Sequence, residues 1–569
     1  MDELSAARTL SLRDHWVLLP ILAIAAFLRL WQINESLWLD ELHSAWVVLD
    51  GASHIVERAQ IGNQSPLYFY LPWAATSLFG MSEWAMRLPS LVAGVGLVVL
   101  GYSLAFEFSR SSVAALTCAA LAATDHNFLF YATEARPYAC VELLAAAQLC
   151  LFWKLQNRDS MSWRLGFVAA SAGMFYLHYT AILLLAGEIL FSLVKASCRH
   201  KGSSVVTYPL RKQAVDLLGI AVLIVPAIAH MFDIGLRRGT WASFVNDTSL
   251  LLPVHWLSLD SYVVVPVALC LIVGVFKVAV TLRRDEPECE TLESCSEVAF
   301  KNESNERGSS RRSVTATLLL LAWFVVPLAS VWVLTVTKVA PLYLGRYVIG
   351  VALAPVLFTG ICIGVWGNSR LQGLVASLVI ASAIYSGGMI EQFRYDGRLF
   401  GDRAENWRDA VRYVNESDWL LDSPVFVRSG LLEADQLSEN STDLLRDYCV
   451  LPLTSMYRID RPKDKVWPLK THAPGSLSAP ELWQIETSGG AWFVVNGDTA
   501  IRERCARRVL ESLERQFQDE SYPKIHRGFI QDEQQFGRVG VFAVLLYSLD
   551  DQVMPLDDQP TSPKSIAFP

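Results

Sequence analysis

The chain has 569 residues, of which 52% are hydrophobic and only 18% charged, with a mean hydropathy of +0.31. Soluble domains carry about 25% charged residues, so the composition excludes an ordinary soluble protein and points to a polytopic membrane protein. The formal net charge is −8. The basic pairs Arg283-Arg284 and Arg311-Arg312 flank apolar spans without interleaved aromatics, which excludes a nucleic-acid surface.

In chain order, Arg8 and Arg13 precede an apolar run from Trp16 to Leu30. No small-residue cleavage site follows it, so it reads as a retained first span rather than a signal peptide. Stretches of the length a bilayer requires lie near 15–33, 88–108, 113–131, 137–154, 163–178, 180–195, 214–232, 261–281, 314–337, 346–366 and 371–390. About eleven spans are expected, although the 163–195 block can be cut differently. Pro66–Phe79 is apolar but short, and is expected as a helix lying at the interface. Segment 283–313 is polar and poor in aromatics, and reads as a flexible loop.

From about residue 391 the composition becomes that of a soluble protein, which divides the chain into a membrane domain, 1–390, and a soluble α/β domain, 391–569. Val425-Phe426-Val427 and Trp492-Phe493-Val494-Val495 have the pattern of buried strands, and Ile501–Phe517 has helical apolar spacing. The Pro- and Asp-rich last dozen residues read as a loose tail.

Counting Lys and Arg orients the chain. With the N-terminus cytoplasmic, about 19 fall on the cytoplasmic side and about 7 outside. The domain 391–569 is then extracytoplasmic. The ten cysteines show no CxxC or CxxH spacing, so neither a metal centre nor a cofactor is expected. Cys449 and Cys505 are the one cysteine pair in the C-terminal region; a disulfide and two free thiols are both open readings.

Under this orientation, four groups of chemically able residues share the outer face. Asp40 and Glu41 follow the first span in NESLWLDELH. Desolvation among such neighbours moves a carboxyl toward the range a general base needs; the plainer reading is an acidic first helical turn. Glu134, Arg136 and Tyr138 stand at a span boundary, where charges pair with each other or serve a site. Lys338, Arg346 and Tyr347 bracket a short turn. The two cations suit a phosphate, or simply anchor the interface. His178 sits between aromatics and is by itself more often structural.

These stretches, RLWQINESLWLDELHSAW, NQSPLYFYLPWAATSLFGMSEWAMRLPS, FLFYATEARPYA, PLYLGRYVI and ENWRDAVRYV, resemble the bacterial branch of the dolichyl-phosphate-mannose protein mannosyltransferase family. That family is made of GT-C-fold glycosyltransferases and is akin to the lipid A aminoarabinose transferases. The resemblance covers about the first 410 residues. It implies a GT-C-like helical fold and an inverting glycosyltransferase in the bacterial inner membrane. It also implies a polyprenyl-phosphate-linked sugar donor among the membrane lipids and a protein, lipid or glycan acceptor outside. Asp40 would be the catalytic base with Glu41 beside it, Glu134 and Arg136 would line the cavity, and Arg346 would hold the donor phosphate. Gln64-Ser65-Pro66 departs from the His or Lys and two prolines frequent in relatives. A lipid or sugar transporter, and a non-enzymatic scaffold with a ligand-binding outer domain, are the competing classes. The former would carry mid-span charges and matched halves, neither of which is visible.

Overall fold

The computed structural model describes residues 12–197, 208–237, 247–272, 295–400, 403–418, 420–438, 440–517 and 525–548. The chain divides into two compact units: Met1–Ile33, Gln64–Leu71 and Arg87–Gly401 form one, and Asn34–Asn63, Pro72–Met86 and Asp402–Pro569 the other. The composition break near 390 thus lies close to a structural division at 401/402. In addition, Asn34–Asn63 and Pro72–Met86 cluster with the later residues.

The first unit is helical. Every expected span is occupied by helix where it is described, but by length and apolarity five helices qualify as crossing a membrane. They are Glu83–Ser109, Tyr138–Asn157, Tyr179–Ser197, Leu210–Leu236 and Arg312–Val336; counting each of two bent pairs as one span makes seven. Trp16–Trp31, Asp260–Ile272 and Ile349–Gly364 are shorter apolar helices, and 273–281 lies outside the described residues. The expected span 113–131 bends by 57° between Ser112–Thr124 and His126–Ala132. Asp125 causes the break: its carboxylate accepts the Asn127 and Phe128 N–H groups, capping the second helix, and also takes the Tyr262 hydroxyl at 2.6 Å. The 163–195 block is cut at His178, between the helix Met161–Leu177 and the turn Tyr179–Ile182. Pro66–Phe79 forms a 3₁₀ turn, Leu67–Phe69, and the helix Tyr70–Phe79, which is too short to cross a bilayer.

One expectation is corrected here. Of the stretch read as a flexible loop, 295–313 is helical and continues into the helix Cys295–Val336; 283–294 lies outside the described residues. Once the apolar span has nucleated, propagation into residues of ordinary helix propensity needs no new nucleus.

Several buried charges of this unit have partners within it. The fully buried Arg29 donates to the carbonyls of Ala25, Ala122 and Ala123 at 3.0–3.2 Å. Arg164 grips Asp216 through two nitrogens, and Asp216 also accepts the Tyr208 hydroxyl at 2.7 Å. Such groups at membrane depth are tolerated because each finds a partner. Two helices meet backbone to backbone at Gly187, where a Cβ would lie 2.6 Å from the Ala322 carbonyl oxygen and 2.8 Å from the Trp323 Cα. Gly187→Ala is expected to force these two helices apart and cost about 1–3 kcal/mol. Thermal unfolding in detergent reads the cost, and an unchanged midpoint would contradict it.

In the second unit, a five-stranded sheet has the order β2-β1-β3-β5-β4, with β1 Val425–Arg428, β2 Val466–Pro468, β3 Gly490–Asn496, β4 Ile525–Phe536 and β5 Val539–Ser548. β1 pairs parallel with β2 and β3, while β5 is antiparallel to β3 and β4. Both strands and the helix read from the sequence are present, the helix as Thr499–Phe517. On one face, Phe426, Phe493 and Phe542 stack in register at 5.0–5.1 Å beneath Cys505, Val509 and Leu513 of that helix. The other face bears the helix Trp407–Glu416, which buries Trp407, Ala410, Val411 and Val414 and sets Tyr413 edge-on to Trp492. Cys449 and Cys505 are both buried and free, so no disulfide joins them: Cys505 belongs to the core under the sheet, and Cys449 ends the separate helix Asp443–Cys449. The tail expected at the C-terminus lies outside the described residues.

Candidate functional site

The expected site residues fall in two groups, one in each unit. In the helical unit, the turn between His126–Ala132 and Tyr138–Asn157 buries Glu134, Arg136 and Tyr138 almost completely. Ser90 secures it by donating to the Arg136 carbonyl at 3.1 Å, and Tyr68 reaches Ser90 in turn. The Tyr138 ring stands 5.2 Å from Tyr131 and 6.2 Å from His178, and His178 is 5.4 Å from Tyr347. The Arg346 guanidinium lies over the Tyr347 ring at 5.6 Å. The Thr180 hydroxyl fixes this junction, donating to the Tyr347 carbonyl at 2.6 Å and meeting His178 Nδ1 at 2.7 Å. The charges of Arg346 and Arg136 both act on His178.

Six of the expected residues, Glu134, Arg136, Tyr138, His178, Arg346 and Tyr347, therefore form one cluster. Two guanidiniums, an imidazole and two phenol rings within it make a set able to hold a phosphate against a ring. Lys338 is exposed, at φ 58°, and no interaction ties it to the cluster among the described residues. Ser65, in the divergent Gln64-Ser65-Pro66 stretch, donates to the Tyr176 carbonyl.

In the second unit, Asp40 and Glu41 occupy the first turn of the helix Leu39–Val48, whose preceding residue Trp38 offers no side-chain cap. Asp40 is half-buried and Glu41 wholly buried. The two carboxylates are thus in different situations. Glu41 lies 3.8 Å from the buried Arg403, whose guanidinium is also 3.8 Å from Glu35. Glu41 is thus held in an ion pair inside the unit, whereas Asp40 is only half-buried.

The missing cap comes from far along the chain. Glu405 accepts the Leu39 N–H at 2.9 Å and the Trp407 indole N–H at 2.7 Å on one oxygen, and the Asn496 amide at 3.1 Å on the other. Nearby, Arg408 donates to the Asn34 carbonyl at 3.0 Å and to Glu83 at 2.9 Å, and its own N–H goes to Ser36 at 3.2 Å. Tyr457 takes the Leu37 N–H at 2.8 Å and donates to Glu83 at 3.1 Å. The ENWRDAVRYV stretch thus clamps the approach to the Asp40 helix. Its motif was visible in the sequence, but the roles of Glu405, Arg403 and Arg408 were not.

The fold so described is that of a GT-C-like polytopic helical membrane protein with a C-terminal α/β unit. It is similar to ArnT from Cupriavidus metallidurans in the apo state, at 12% identity and a TM-score of 0.51, covering 93% of this chain and 98% of that one. The same protein bound to undecaprenyl phosphate aligns at 13% identity and a TM-score of 0.49, covering 93% and 98%. The archaeal oligosaccharyltransferase AglB of Archaeoglobus fulgidus, in complex with an inhibitory peptide and a dolichol-phosphate, aligns at 13% and 0.43, covering 96% and 76%. No curated protein sequence matches the chain. Residues 63–229 match the dolichyl-phosphate-mannose-protein mannosyltransferase family. With the fold, that match agrees with the resemblance read from the motifs. The matched stretch contains Glu134, Arg136, Tyr138 and His178; Asp40 and Arg346 lie outside it.

Proposed function

We propose that the chain is an inverting glycosyltransferase that moves a sugar from a polyprenyl-phosphate donor to an extracytoplasmic acceptor in the bacterial inner membrane. The match over residues 63–229 carries this reading, because that family takes its sugar from a lipid phosphate. Asp40 accepts the proton of the acceptor hydroxyl or amine as that group attacks the anomeric carbon. The bond to the lipid phosphate breaks with oxocarbenium character on the sugar, and the phosphate leaves against cationic groups. The clustering of Arg136 and Arg346 with His178 and Tyr347 supports their role as those groups. Lys338 stands apart from the cluster, so the phosphate role rests on the two arginines.

The purified protein, offered a panel of polyprenyl-phosphate sugars, is expected to release polyprenyl phosphate from one of them. Uptake of intact labelled donor into vesicles without release would favour a transporter instead. Arg346→Ala is expected to raise the KM for the donor about 10-fold or more, from the loss of a charged hydrogen bond; an unchanged donor KM would remove Arg346 from the phosphate site.

The C-terminal residues shape acceptor use in this reading. Deleting 391–569 is too blunt a test, because it also removes Glu405, Arg403 and Arg408 from around the Asp40 helix. Point changes on the exposed surface of 402–569 should alter the acceptor profile and spare donor binding.

A further inference from the structure

We propose that Glu405 is a positioning residue for Asp40, tying the start of the helix that bears the base to the carboxyl ends of the parallel strands in the second unit. The inference rests on the reading of Asp40 as the base.

Four observations converge on it. The helix bearing Asp40 begins without a cap of its own, and the Glu405 carboxylate caps it through Leu39, the residue immediately before Asp40. Glu405 cannot swing freely, because Trp407 and Asn496 hold both its oxygens. Its backbone is fixed as well: Glu405 bridges to Gly537 at the turn between β4 and β5, and Asn406 donates to the Phe536 carbonyl. Asn496 is the last residue of β3 and also donates to the carbonyl of Ser429, just past the end of β1. The carboxyl ends of parallel strands are where open α/β sheets present functional groups. Here they present a clamp.

Electrostatics add a second consequence. Burial pushes the Glu405 carboxyl up; the three N–H donors oppose this, and the neighbouring Asp40 charge adds to it. A negative charge on one makes the other hold its proton more tightly. The other charged or titratable groups around the start of the helix are Glu41 and His43 on the helix itself, Glu35 before it, Arg403 across from it, and Arg408, Glu83 and Tyr457 around Asn34–Leu37. Arg403 is engaged with Glu35 and Glu41, so Glu405 is the carboxylate whose charge is directed at Asp40.

The test compares Glu405→Gln, Glu405→Asp and Asp40→Asn in the full-length protein, with the pH profile of kcat/KM and the donor KM as readouts. Glu405→Gln keeps an acceptor oxygen for Leu39 but loses the charge. Its donor KM should be near wild type, its kcat several-fold lower, and the acid limb of its profile displaced to lower pH by about 0.5–1 unit. Glu405→Asp keeps the charge and shortens the arm by one methylene, so it should lower kcat while leaving the acid limb in place. A Glu405→Gln profile superimposable on wild type overturns the inference. If that variant does not fold, wild-type kcat in Glu405→Asp overturns it instead. Asp40→Asn separates the two levels: turnover surviving in that variant sinks the reading of Asp40 itself, whereas loss of turnover there with an unmoved Glu405→Gln profile sinks only the role of Glu405.

Discussion

Asp40→Asn is expected to reduce sugar transfer by about 10²–10⁴-fold, the usual contribution of a positioned general base, while the protein stays folded. The substitution isolates the chemistry. Asn is close to isosteric with Asp, and the Leu39 N–H cap from Glu405 does not involve the side chain being changed. The cost to the helix from losing a first-turn negative charge is about 0.3–1 kcal/mol, small against a lost proton acceptor. Because Asn cannot take a proton from the acceptor, the loss should appear in kcat, with the donor KM nearly unchanged. Single-turnover assays with the donor identified from the panel measure both. Equal turnover by wild type and Asp40→Asn would show that the base lies elsewhere. Glu41 would not be the obvious replacement, since it is wholly buried and committed to Arg403.

Arg403→Met is expected to destabilise the second unit by about 3–5 kcal/mol, the cost of removing one partner from a buried ion pair. The Arg403 side chain is 2% exposed and Glu41 0%, whereas Glu35 is 22% exposed. Removing the arginine strands the Glu41 carboxylate where water cannot solvate it; Glu35 can turn to solvent. The effects should therefore be unequal. Glu35→Gln should cost about 0–1 kcal/mol, and Arg403→Met combined with Glu41→Gln should recover most of the loss, since an apolar replacement of the whole pair is often neutral. Thermal unfolding in detergent separates these cases. If Arg403→Met melts with the wild type, the ion cluster is not what holds the start of the Asp40 helix. If the double variant is no better than the single, the loss comes from packing rather than from a stranded charge.

Much of this architecture was legible without coordinates. Apolar runs marked the helical segments, the change of composition near 390 lies close to the structural division at 401/402, and the short apolar runs Val425–Val427 and Trp492–Val495 marked buried strands, which the structure pairs in parallel. Glu134, Arg136, Tyr138, His178, Arg346 and Tyr347 were singled out from three separate stretches, and all six lie in one cluster. Lys338 was placed with them because it shares their short turn, but sequence proximity does not bring a side chain to a site, and it stands exposed. Asp125 was passed over inside an apolar segment, although its carboxylate is what breaks that segment in two. The helical course of 295–313 was missed because polar composition reports solvation and not backbone order.

By itself the sequence determined what depends on neighbours along the chain: which segments are apolar enough to enter a membrane, which runs alternate as strands, and where acidic and basic residues stand beside them. Hydrophobic burial and backbone periodicity are local properties, so composition and spacing record them. Tertiary structure alone decided that Asn34–Asn63 and Pro72–Met86 cluster with residues after 401, that Glu41 pairs with Arg403, and that Leu39 is capped by Glu405 from 366 residues away. A hydrogen bond or ion pair depends on the distance between two groups in space, and nothing in the spacing of residues 39 and 405 along the chain encodes that distance.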